Sequence, residues 1–193
     1  MEQIRNTGNS LLLLQLAERV GNTAETRNPQ LVNQPSLNAT ETSAMTDVDG
    51  TVLEISTVKD FFKVNSRVTA IEMKPGLCND SQIQRWNVKV YPKLTELVVG
   101  DNCLQFVKGL KLVGFASLER VAIGMRCMCE SDGCFEVSDC EKLKSVVMGG
   151  GCCVKWSSFV MRNCDSIQEV RIGDGCFVNC EKTVFESWSS IIS

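Results

Sequence analysis

From about Thr51 onward the apolar positions of the chain recur in one fixed phrase. An apolar residue is followed by a second three places on and a third two places later. The copies are Val68, Ile71 and Met73; Leu94, Leu97 and Val99; Leu118, Val121 and Ile123; Leu143, Val146 and Met148; Ile167, Val170 and Ile172. Their first residues lie 26, 24, 25 and 24 places apart, the self-similarity of a chain built from one repeated unit. Within each copy the last two apolar residues alternate with more exposed types, the period of two that puts both on one face of a strand. A second extended run precedes the later copies, as in Phe135 with Val137 and Phe159 with Met161, and ends in polar pairs such as Ser138 with Asp139. Each unit is therefore predicted to hold two short strands and two corners.

Other columns keep the same spacing. One place after each phrase stand Gly100, Gly124, Gly149 and Gly173, and three places further stand Cys103, Cys127, Cys152 and Cys176; the first copy has Lys74 and Leu77 instead. Upstream run Tyr91, Phe115, Cys140 and Cys164; Phe62, Val88, Leu112, Val137 and Met161; and Trp86, Leu110, Phe135 and Phe159. The glycines are expected to end the strands by turning corners at positive φ. A lone unit of this length buries too little to offset its chain entropy, so stability is expected only from coils stacked with like side chains in register. The columns continue into Phe185, Trp188 and Ile191, which predicts a partial sixth coil. Trp188 is expected either to act as a lid or to leave an edge that pairs end to end with another chain.

The copy Ile167, Val170, Ile172, Gly173, Cys176 and Phe177 resembles the leucine-rich repeat superfamily of BspA-like type, whose units read Leu-x-x-Leu-x-Ile-Gly-x-x-Cys/Ala-Phe. The resemblance runs from about Phe62 to the C-terminus and departs where Leu104, Met128 and Cys153 stand in the place of Phe177. It implies a mainly β, leucine-rich-repeat-like solenoid of about five coils plus a partial sixth over residues 53–193. In such a solenoid the residues between apolar anchors face the concave side. One such column is Glu72, Val98, Ala122, Val147 and Arg171; the other is Ala70, Glu96, Arg120, Ser145 and Glu169. Apolar in the middle and charged at the ends, this surface suits a protein or peptide partner.

Residues 1–52 differ in kind. Asn, Thr, Gln, Ser and Glu dominate from Gly21 to Gly50, with Pro29 and Pro35 among them, a composition that predicts a largely disordered, flexible segment. Residues 9–20 are the exception: Asn9 or Ser10 caps a predicted short helix carrying Leu12, Leu13, Leu16 and Val20 on one side. The start of the chain carries Glu2 and Arg5 and reads as no export signal, and no stretch reaches the length of a membrane span, so the expected setting is cytoplasmic with reduced thiols. A cell-surface setting would follow from a longer, exported precursor.

Charge and chemistry narrow the function further. With 20 Lys and Arg against 23 Asp and Glu, the 193 residues carry a net charge of −3, which disfavours nucleic acid. There is no histidine, which removes from this chain every Ser–His or Cys–His pair and every His-ligated metal. Eleven cysteines invite a metal or disulfide reading, yet Cys127, Cys129, Cys134 and Cys140 lack the paired Cys-x-x-Cys hooks of zinc sites. Cysteines in the repeat columns read as small buried fillers, whereas Cys129, Cys134 and Cys153 fall outside the main columns and are the candidate reactive thiols. The expectation is a non-enzymatic protein-interaction module without cofactor or metal. The alternatives are a cysteine-based redox or metal-binding protein and a truncated remnant of a longer array.

Overall fold

The computed structural model describes residues 50–186; the predicted helix at residues 9–20 and the column positions Trp188 and Ile191 lie outside them. The first expectation holds: the chain winds as a β-solenoid of about five turns. The phrase strands are β2 (Val68–Met73), β3 (Glu96–Val99), β5 (Arg120–Ile123), β7 (Ser145–Met148) and β9 (Glu169–Ile172). Between them lie β4 (Gly109–Val113), β6 (Cys134–Ser138), β8 (Ser158–Arg162) and β10 (Lys182–Glu186). The two sets form separate parallel sheets, one of six strands in the order β1-β2-β3-β5-β7-β9 and one of four in the order β10-β8-β6-β4.

The registers are those of the sequence columns. Leu97 pairs with Val121, Val121 with Val146 and Val146 with Val170 along the six-stranded sheet. Phe135 pairs with Phe159 and Met161 with Phe185 along the other, so the sixth coil does begin at β10. Ile71, Leu97, Val121 and Val146 are wholly buried in a single core with Leu110, Leu112, Phe135 and Val137 of the four-stranded sheet. Phe135 and Phe159 stack with ring centroids 5.3 Å apart, the offset needed to lay one coil upon the next.

β1 (Thr51–Ile55) adds a sixth strand ahead of the first phrase, two residues earlier than the expected start at residue 53. It pairs parallel to β2 with Leu53 beside Ile71, only 18 residues on instead of about 24. The shortened coil is closed by α1 (Val58–Phe61), which opens on a capping box: the Thr57 hydroxyl accepts from the Asp60 N–H while the Asp60 carboxylate accepts from the Thr57 N–H. Phe61 then lies against Trp86, centroids 5.4 Å apart, beside the first coil.

The corners correct one expectation. Gly100, Gly124, Gly149 and Gly173 do not sit at positive φ. They are glycines because the preceding coil touches them: a Cβ on Gly124 would lie 2.6 Å from the Asp101 backbone N, and one on Gly149 2.7 Å from that of Met125. The left-handed turns come later, in three columns. Gly76, Asn102, Arg126, Gly151 and Gly175 form the first; Cys78, Leu104, Met128, Cys153 and Phe177 the second; Gly114, Asp139 and Asn163 the third. Nine of these thirteen residues are not glycine, and the strain of a left-handed L-residue is repaid by hydrogen bonds between coils. Asn102 and Arg126 donate forward to the carbonyls of Met125 and Gly150, while Leu104, Met128 and Cys153 donate back to those of Leu77, Cys103 and Cys127.

Candidate functional site

All nine candidate binding residues, Glu72, Glu96, Val98, Arg120, Ala122, Ser145, Val147, Glu169 and Arg171, lie on the outer face of the six-stranded sheet. Their neighbours Ile71, Leu97, Val121 and Val146 point into the core, so strand alternation alone forces the nine outward. Val98, Ala122 and Val147 stand side by side on consecutive strands, half-buried, and form a narrow apolar strip. Charges bracket it. Arg120 pairs with Glu96 across the strands, Arg171 with Glu169 at 2.7 Å along β9, and Lys144 with Glu119 at 2.6 Å just below. The two arginines thus meet carboxylates and are not free cations. The pairing with Lys144, chiefly its hydrogen bond, also holds the Glu119 carboxyl below the usual carboxylate range.

β1 prolongs this face by one strand that the repeat pattern does not reveal. Glu54 continues the column of Glu72, Val98, Ala122, Val147 and Arg171, and Val52 continues that of Ala70, Glu96, Arg120, Ser145 and Glu169. The signal was the alternation of Val52, Leu53, Glu54 and Ile55, hidden because its coil is shorter than the period.

The cysteines hold a second, internal arrangement. Sγ of Cys103, Cys127, Cys152 and Cys176 donates to the carbonyls of Lys74, Gly100, Gly124 and Gly149 of the preceding coil, at 3.2, 3.1, 2.9 and 3.1 Å. Three of them also accept from that coil: the N–H groups of Leu77, Cys127 and Cys152 point at Sγ of Cys103, Cys152 and Cys176, 3.3–3.4 Å away. A hydrophobic filler would leave these backbone groups bare where the strand ladder gives way to the corner. Each thiol fills the space and serves the carbonyl, and Cys103, Cys152 and Cys176 serve both groups at once. Cys140 plays a weaker version of the part, donating to Leu112 O at 3.4 Å.

Of the three candidate reactive thiols, Cys153 is corrected. It is wholly buried in the second left-handed column, and burial pushes its thiol far above the ordinary range. That column turns its side chains inward, which a reading of strand alternation has no means to foresee. Cys129 is half-buried and donates to Gly151 O at 2.9 Å; burial pushes its thiol up to about 11, against ready ionisation at neutral pH. Cys134 lies half-buried on the outer face of β6, between Gly109 and Ser158. All eleven cysteines are free thiols, and among the described residues no group of three or more Cys, Asp or Glu side chains converges as metal ligands.

Compared with protein-family models, curated proteins and solved structures, the chain matches none of them. The solenoid and its outer face therefore carry the functional reading alone. Among the described residues no helix is long and apolar enough to cross a membrane.

Proposed function

We propose that this chain is a non-enzymatic protein-interaction module, of the leucine-rich-repeat-like kind its sequence resembles, which binds a protein or peptide on the outer face of its six-stranded sheet. One observation carries the reading: nine side chains from five consecutive strands form one continuous surface, with the apolar strip Val98, Ala122 and Val147 at its centre and ion pairs around it. An apolar centre inside a polar rim is the anatomy of a protein interface. The rigid backbone beneath it spares a partner the cost of ordering the surface. The cysteines support this reading over a redox or metal role, because the thiols of the main column are engaged in holding coil to coil. A cytoplasmic setting, where thiols stay reduced, suits such a ladder.

The test is a partner screen run in parallel with two variants. In Glu96→Arg/Arg120→Glu the ion pair is kept but its polarity reversed, and in Val147→Asp the strip is interrupted. A partner held by wild type and lost by both variants, with unchanged circular dichroism, supports the reading. Partners held equally by all three proteins defeat it.

A further inference from the structure

We propose that copies of this chain associate head to tail, β9 of one copy lying parallel against β1 of the next, so that the coil columns run on across the junction. This goes beyond binding on the outer face of the sheet and rests on its two edge strands, with Arg171 common to both surfaces.

β1 and β9 are the two edge strands of the six-stranded sheet. In a parallel sheet the two edges are complementary halves of one repeating ladder, so a copy shifted along the stacking direction meets the pairing already used inside each molecule. The side chains at the two edges match in phase. Leu53 and Val170 are the two ends of one inward column, and Ile55 and Ile172 the ends of the next. Among the described residues the columns end at β9 with partly exposed side chains: Val170 and Ile172 are 36% and 40% exposed, whereas Val146 and Met148 one coil earlier are at 0% and 2%. Phe185, 57% exposed on β10, ends the sequence column that Phe62 begins.

Charge selects the occupant. On the outer face Glu54 lies directly beside Glu72, two carboxylates in cross-strand register. Among the described residues neither has an ion-pair partner. Like charges so placed are unfavourable, and a cation on the open side of Glu54 would relieve them. The residue at the other end of that same column is Arg171, whose one ion-pair partner among the described residues is Glu169 of its own strand. A second copy placed in register sets Arg171 beside Glu54, Val170 beside Leu53 and Ile172 beside Ile55. Such a contact is heterologous and does not close on itself, so it extends into open arrays.

Sedimentation velocity under reducing conditions, across a concentration series, tests the proposal. Wild type is expected to grow past the dimer as concentration rises. Arg171→Glu and Glu54→Arg, both at exposed outer positions, are each expected to weaken association about tenfold. An equimolar mixture of the two single variants is expected to associate again, since opposite charges then meet at every junction. Val170→Asp/Ile172→Asp, on the partly exposed edge strand, is expected to stop growth and serves as the second probe should Glu54→Arg fail to fold. A wild type that stays monomeric overturns the proposal. So does a dimer that stops growing and ignores Glu54→Arg, which would mean contact between two β9 edges, and so does a mixture that stays as weak as its components. The Glu96→Arg/Arg120→Glu variant is expected to assemble like wild type, which keeps this outcome separate from that of partner binding.

Discussion

At the scale of single residues, the space between coils decides which side chain each position accepts. Gly124 has no room for a methyl group, since a Cβ there would also fall 2.3 Å from Asp101 Oδ1, whereas Gly114 at φ +74° has nothing within 4 Å. Gly124→Ala is expected to lower unfolding free energy by about 1–3 kcal/mol through overpacking, and Gly114→Ala by about 1 kcal/mol through backbone strain alone. Urea denaturation of both variants checks the order. Cys152→Val keeps the apolar volume but strips hydrogen bonds from Gly124 O and the Cys127 N–H, and a loss of about 1–3 kcal/mol is expected by the same measurement. The thiols also predict a labelling pattern. Native alkylation near neutral pH should leave Cys103, Cys127, Cys152 and Cys153 untouched, since each is wholly buried, and should reach Cys129 slowly because burial raises its thiol to about 11. Mass spectrometry after labelling checks it; rapid modification of Cys153 would contradict its placement.

At the scale of elements, α1 is the piece that departs from the repeat, and its stability rests on a cap. Hydrogen bonding from Lys63 first, and from Thr57 second, holds the Asp60 carboxyl down at about 2, against an ordinary value of 3.8. A depressed acid stabilises the fold when ionised. That contribution is complete above about 3.8 and is lost as pH falls through about 2. Thr57→Ala is expected to cost about 1 kcal/mol near neutral pH, and Asp60→Asn is expected to flatten the acid limb of stability in that window. Denaturation midpoints measured from pH 2 to 7 check both. The element also shows why the pattern concealed β1. Once a capped helix closes the coil, Leu53 to Ile71 takes 18 residues, and a search at about 24 steps over it.

At the scale of the whole molecule, each coil rests only on its neighbours, so the worth of a side chain depends on how many coils flank it. Val146 and Val170 occupy the same column, one covered on both sides and one on the edge strand. Val146→Ala is expected to cost about 2 kcal/mol and Val170→Ala less than about 1 kcal/mol in thermal or urea unfolding. Equal losses would mean that the edge is already covered. The edge strands at the two ends, and the unpaired carboxylates Glu54 and Glu72 at the first of them, likewise belong to the stack of described coils, since no single coil possesses them.

Sequence by itself determined the solenoid, its period and the outward set of nine residues, because stacked parallel coils force like side chains to recur at equal intervals and strand alternation assigns each to a face. It also marked the cysteine and glycine columns as special. Only the tertiary structure decided what those columns do. Whether a glycine serves a left-handed turn or a close contact, whether a cysteine fills space or also bonds the next coil, and whether Arg120 stands free or paired all depend on atoms about two dozen residues away. Such distances are created by the stacking, and no local pattern along the chain encodes them.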